Sequence, residues 1–192
     1  AALGDHLCHS GSTAVLFANS YFGARTNRQS GLAALCAALV GKTPYYGMHL
    51  KENRVPDYLV KVRCQISPFP TQLLGVLIGR SSTERKREDS VPYVRSKVGG
   101  SNLKALMNPD CAKNLLSAAG SLSRLSMIHV EGLGPEANFH HVHRHADKVR
   151  IDREDIDGIL EERSLATAPA AVFLGCPHMS AWELGALGLM LK

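Results

Sequence analysis

The sequence has no apolar run near the roughly 18 residues that a membrane-spanning helix needs. Its N-terminus lacks the charged, apolar and small-residue segments of a signal peptide. These absences set the expectation of a soluble, cytoplasmic protein. There is no CxxC pair either: the five cysteines, Cys8, Cys36, Cys64, Cys111 and Cys176, are odd in number and widely spread, which argues against a disulfide framework and a self-contained zinc module. Most are expected to be buried thiols. Charge of one sign is not concentrated: the net charge is +5, but the basic residues are scattered apart from a short run at Arg85, Lys86 and Arg87, so a nucleic-acid face is not indicated. Aromatic residues make up only 6% of the chain, while 45% hydrophobic and 20% charged residues exclude disorder and collagen-like structure. Repeats and low-complexity tracts are also missing.

What is present is a chain of 192 residues, about 1.3 domains at a nominal 150 residues each. It opens on Ala1 rather than Met and stops at Lys192 inside an unfinished apolar helix, so a piece of a longer protein is expected. Residues 12–19 (STAVLFAN) read as a strand, 20–30 as a polar loop, and 31–40 (GLAALCAALV) as a helix closed by Gly41. Residues 58–66 alternate as a half-buried strand does; the apolar stretch 73–78 is too short and glycine-broken to assign. Residues 80–90 (RSSTERKREDS) have no apolar residue and read as a solvent-exposed loop or insertion. Asn108 and Pro109 start a helix ending at Gly120. A strand follows at 125–130, a helix from Asp152 to about Arg163, and a short strand at 170–174. Ser180 and Glu183 form a capping box before a last helix. Strands alternating with helices imply an α/β architecture with a mixed or parallel sheet and helical crossovers.

In such sheets ligands gather beyond the carboxyl ends of the strands. Two segments qualify. The first, residues 19–28, carries two guanidiniums (Arg25, Arg28), amides that include Asn27, and hydroxyls around Gly23; this set suits capture of a carboxylate or phosphate, or else simply caps the next helix. The second is Gly175-Cys176-Pro177-His178, where a helix start would lower the thiol pKa and make Cys176 a nucleophile or metal ligand; a buried structural cysteine is the alternative. His140, His141, His143 and His145 lack HxxxH spacing and partner cysteines, though three of them could share one face of an extended strand. Cys8, flanked by His6 and His9, is a weaker metal candidate.

GDHLCHSGSTAVLFANSYFGARTNR (4–28), ALVGKTPYYGMHL (38–50), GLGPEA (132–137) and FLGCPHMSAWEL (173–184) together resemble the catalytic, large-subunit portion of the aconitase X family. The resemblance covers nearly the whole chain, with 80–90 standing out as an insertion. It places residues 1–192 in the central part of the catalytic domain. It implies an aconitase-like fold and an iron-dependent hydro-lyase. Dehydration of cis-3-hydroxy-L-proline is the leading expectation, with mevalonate 5-phosphate as the alternative substrate. A small swivelling subunit, or a fused domain in its place, is the implied partner.

The implied cofactor is an iron–sulfur cluster or a mononuclear iron held by three cysteines. Cys176 matches the one in the family's GCPH motif, and the other two would fall outside 1–192. Cys8 stands where relatives carry a small apolar residue, so it is not counted as a ligand. Relatives show a Ser-Glu-Ser-like stretch at Ser10-Gly11-Ser12; Ser12 carries over, and Gly11 replaces the glutamate. The implied substrate-binding set is Gly11, Ser12, Arg25, Asn27 and Arg28, holding a small anionic metabolite that also suits the net positive charge. The catalytic base is unidentified, and the isolated chain is expected to be inactive. Two other readings stand: a non-catalytic domain binding an anionic metabolite through Arg25 and Arg28, and a zinc protein using His141, His143 and His145.

Overall fold

In the computed structural model, which describes residues 1–65, 71–85, 90–96, 103–138, 142, 146–162, 167 and 169–191, the N-terminal segment is helical where a strand is expected. Residues 12–19 enter α1 (Ser12–Phe17) and then a π-helical turn, Ala18–Phe22. An apolar run without alternation fits either geometry, so only its packing decides. Val15 and Leu16 are fully buried on one face of α1. The π turn is fixed by two buried polar residues: Asn19 Nδ2 donates to Thr26 O at 2.8 Å and Ser126 O at 2.7 Å, and Ser20 Oγ accepts from the Ile128 N–H at 2.9 Å. Gly23, at φ 69°, turns the chain into an extended segment that bridges in parallel to the chain start at His6–Arg25 and His9–Arg28. The helix α2 (Gly31–Val40) forms as expected, with Ser30 Oγ accepting from Ala33 N–H and Gly41 in the left-handed region. None of its residues is buried.

Four parallel strands follow. β1 (Tyr58–Val62) buries Tyr58, Val60 and Val62 on one face, the alternation legible in its sequence. Next comes α3 (Thr71–Thr83), a full helix where only an unassigned apolar stretch is expected. Its last turn runs into the segment read as an insertion; Ser81 and Ser82 are buried there, and residues 86–89 lie outside the described residues. β2 (Pro92–Ser96) leads to α4 (Pro109–Leu122), capped by Asn108 Oδ1 accepting from Asp110 N–H at 2.8 Å. Gly120 lies inside α4 rather than closing it, and a Cβ there would sit 2.6 Å from Leu16 Cδ1, so this glycine admits α1 onto α4. Of the strand expected at 125–130 only β3 (His129–Val130) pairs. β4 (Asp147–Ile151) precedes α5 (Arg153–Glu162), the helix expected from Asp152.

The strand order is β3-β2-β1-β4 with every pairing parallel, so the expected α/β architecture with helical crossovers is borne out. Residues 170–174 form no strand: Val172, Phe173 and Leu174 are exposed. The last helix, α6 (Ala181–Met190), forms with its capping box. Leu74 and Ile78 of α3 and Leu115 and Leu116 of α4 share one core with Val60 and Val94. The N-terminal segment is pinned to this core by buried Arg54, which pairs with Glu136 (Nε–Oε2 2.8 Å) and donates to the carbonyls of Asn19, Ala24 and Met48.

Candidate functional site

The extended pair formed by residues 5–9 and 24–28 supports a short 3-10 turn, Gly47–His49. Asn27 holds that turn from below: its Nδ2 donates to Tyr46 O at 3.0 Å and its Oδ1 accepts from Met48 N–H at 2.7 Å. Gly47 is at φ 58°, and a Cβ there would run into the Asn27 side chain. Arg25 Nη1 donates to His49 O at 2.9 Å, while Arg25 Nε is buried without a hydrogen-bond partner among the described residues.

His49 is thereby delivered, fully buried, beside His6 of the chain start. The two Nδ1 atoms are 2.8 Å apart, with ring planes within 7° and centroids 5.0 Å apart. Those values describe two imidazoles meeting edge to edge along the N···N line. Burial, followed by the charges of His6, Arg54 and Arg25, lowers the His49 pKa below the ordinary histidine value. A cleft of about 640 Å³ opens over the pair, with Cys8, Lys42 and Tyr45 on its walls and the small residues of α2 opposite.

The other implied substrate residues lie at the junction of α1 with α4. Gly11 is the N-cap of α1 and Ser12 its first residue. Arg28 Nη1 donates to Ser123 O at 2.6 Å and Nη2 to Gly120 O at 3.2 Å, so this guanidinium sits on the carbonyl end of α4. Desolvation lowers its pKa from the ordinary arginine value. Asn27 and Arg28 also line a second cleft of about 390 Å³ with Tyr46, Gly47 and Arg124. The set therefore divides: Arg25 and Asn27 brace the 46–49 turn, and Ser12 and Arg28 sit at the end of α4.

Cys176 is exposed, as is Cys36; Cys8 and Cys111 are half-buried, and Cys64 alone among the five is buried, which corrects the expectation of mostly buried thiols. Cys176 adopts φ 34°, unusual for a residue with a side chain. Its loop is anchored from the far side. Lys113 Nζ donates to His178 O at 3.0 Å and to Glu183 Oε2 at 2.7 Å, and Ser180 Oγ donates to Asp110 Oδ2 at 2.7 Å. Burial would raise the Glu183 pKa, but hydrogen bonds from Lys113, the Ser180 N–H and Asn114, with the Lys113 charge, hold it down at about 2. Among the described residues no group of three or more His, Cys, Asp or Glu converges as a metal site. An exposed thiol just before a helix N-terminus fits as one ligand of an iron centre, not as a complete site. His140, His141, His143 and His145 lie outside the described residues.

Sequence reasoning named His6 only as a neighbour of the weak metal candidate Cys8 and missed its pairing with His49. Both lie in motif segments, GDH and PYYGMHL, but their contact spans 43 residues, and only the turn at Gly47 brings them together.

A four-stranded parallel sheet with helical crossovers, joined to an N-terminal segment that bears two clefts, defines an α/β protein. Residues 1–52 match the aconitase X first domain and residues 56–161 the aconitase X second domain. The chain belongs to the aconitase X family. Its fold is similar to that of holo-form Thermococcus kodakaraensis aconitase X, with a TM-score of 0.78 and 30% identity over 100% of this chain and 47% of that one. In sequence it is 36% identical to the phosphomevalonate dehydratase large subunit of Methanosarcina mazei, over 98% of this chain and 44% of the relative. It is 31% identical to the cis-3-hydroxy-L-proline dehydratase of Pseudomonas aeruginosa, over 99% of this chain and 32% of the relative. The chain thus spans less than half the length of these relatives. Among the described residues no helix is long and apolar enough to cross a membrane.

Proposed function

We propose that this chain is the central part of the catalytic subunit of an iron-dependent hydro-lyase that removes water from a small anionic hydroxy acid. The observation that carries the reading is its membership of a family whose named relatives are dehydratases, on a fold that sets His6, His49 and Lys42 around one cleft. Mevalonate 5-phosphate stands ahead of cis-3-hydroxy-L-proline as substrate, because relatives named for the former reach 36% identity and those named for the latter 31%. The relatives' designation as large subunits supports a small subunit as partner.

Elimination needs stabilisation of the departing hydroxide, a base for a carbon-bound proton, and cationic donors for the carboxylate. Iron bound at the site supplies Lewis acidity toward the hydroxyl. Cys176 would contribute one thiolate ligand, and Lys113 and Glu183 hold its loop in place. Arg25 and Arg28 would add positive charge for the anion, Asn27 lines the second cleft beside Arg28, and Gly11 and Ser12 would complete the binding set from the start of α1.

The test uses the full-length subunit with its small partner, assayed by NMR on both substrates. Formation of the dehydrated product of mevalonate 5-phosphate is expected. Turnover of hydroxyproline alone reverses the substrate assignment, and turnover of neither removes the hydro-lyase reading. Cys176→Ser should abolish both iron-linked visible absorption and activity; retention of both removes Cys176 from the ligand set.

A further inference from the structure

We propose that α4 is the mount of the iron-ligand loop: Lys113, with Asp110 and Asn114 beside it, positions Cys176 through the segment that follows it, and so sets how firmly the subunit keeps its iron. The proposal rests on the hydro-lyase reading above and deepens it. Asp110, Lys113 and Asn114 are spaced i, i+3 and i+4 from the first turn of α4, so they share one face of the helix. That face meets residues 178–183. Lys113 Nζ has three acceptors, one for each of its hydrogens: His178 O at 3.0 Å, Glu183 Oε2 at 2.7 Å and Asp110 Oδ1 at 3.2 Å. Asn114 Nδ2 donates to Glu183 Oε1 at 2.8 Å, and Ser180 Oγ donates to Asp110 Oδ2 at 2.7 Å. The Lys113 and Glu183 side chains are only 19% and 14% exposed, so their contact escapes much of the screening that weakens a surface pair.

The loop needs such a hold. Val172, Phe173, Leu174 and Cys176 are exposed, residues 171–175 form neither helix nor strand, and no described residue of α6 is buried. Apolar packing therefore does little to fix it. Yet Cys176 sits at φ 34°, a conformation that persists in a residue with a side chain only where its surroundings enforce it. Of the three α4 residues, Lys113 is the one that reaches the main chain of the loop, at His178 O, two residues after Cys176. Asp110 and Asn114 hold side chains, and through them the start of α6.

The loop lies beyond both matched family domains, whereas α4 belongs to the second. The clasp is thus a joint through which the second domain acts on the ligand. Removing a group that holds a metal ligand in place from outside costs about 10–100-fold in metal affinity.

The experiment uses the full-length subunit with its small partner. In the iron-loaded enzyme, Lys113→Met should lose iron to a chelator about 10–100-fold faster than wild type, read as decay of the iron-linked absorption. In the iron-free enzyme, hydrogen exchange of the 173–184 peptide should rise about tenfold, with exchange in β1 and α3 unchanged. Asn114→Ala, which leaves the bond to His178 O, should move both readings the same way by about threefold, and it carries the test should Lys113→Met not fold. Iron loss from Lys113→Met within about twofold of wild type, or an unchanged 173–184 peptide, overturns the proposal. So does exchange that rises equally in β1 and α3, which marks Lys113 as a support of the whole fold. If Cys176→Ser keeps its iron, the ligand reading fails by itself, and exchange in the iron-free protein still decides whether Lys113 holds the loop.

Discussion

Arg25 and Arg28 stand three residues apart in one donor-rich segment, yet the fold gives them different work. Arg28 donates to three backbone carbonyls at the end of α4, those of Gly120, Ser123 and Leu125. Removing it leaves those carbonyls without a charged donor, so Arg28→Ala should cost about 1.5 kcal/mol in stability, the low end of the range for hydrogen bonds to charged groups because the side chain is exposed. Thermal denaturation checks this. Arg25 makes one such bond, and its Nε is buried without a partner among the described residues. Arg25→Lys retains the charge but loses the fork, and is expected to lower kcat/KM about tenfold or more with the melting temperature little moved. A lowered melting temperature with unchanged turnover per folded molecule would instead make Arg25 structural. The donor-rich composition of the segment was legible in the sequence; which N–H groups stay free was not, because their partners are carbonyls as far as 97 residues away.

The elements sort by how local their determinants are. The capping box at Ser180 and Glu183, the Asn108-Pro109 start of α4 and the Gly41 close of α2 depend on residues a few positions apart, and each appears where the sequence puts it. α1 and α3 do not depend on local signals alone. STAVLFAN is a helix because α4 offers it a glycine to pack on. In α3, Gly75 and Gly79 resemble breakers in sequence, but they are where α4 crosses: a Cβ at Gly79 would lie 2.9 Å from Ala119 O.

The capping box also carries a pH dependence. The Glu183 pKa is depressed to about 2 from an ordinary 4.5. A depressed carboxyl contributes stability that is present above its unfolded pKa and lost as pH falls through the folded one. The advantage of wild type over Glu183→Gln should therefore be complete above about pH 4.5 and vanish near pH 2. Circular dichroism melts of both proteins across that interval measure it, and a difference independent of pH would show that Glu183 acts only as a hydrogen-bond acceptor.

At the scale of the whole molecule, the core and the surface disagree in character. The sheet, α3 and α4 enclose a continuous aliphatic core, and Arg54 with Glu136 ties the N-terminal segment to it across the junction of the two family domains. Yet α2 buries nothing, with Leu32 75% and Leu39 78% exposed, and toward the other end Phe173 is 93%, Trp182 71% and Met190 84% exposed. Side chains of this size left in water across two helices and a loop exceed the scattered apolar exposure that monomers tolerate. The chain also spans 47% of its structural relative, whose larger fold has material to cover such faces. Residues 1–192 produced alone should consequently bind a hydrophobic dye and self-associate with rising concentration, seen by light scattering after gel filtration. Replacing Leu35 and Leu39 of α2 with glutamine should shift that association toward monomer without lowering the melting temperature, since neither side chain enters the core. Undiminished association in the double variant would assign it to the apolar surface of α6 and residues 172–174, which Trp182→Gln then tests in the same way.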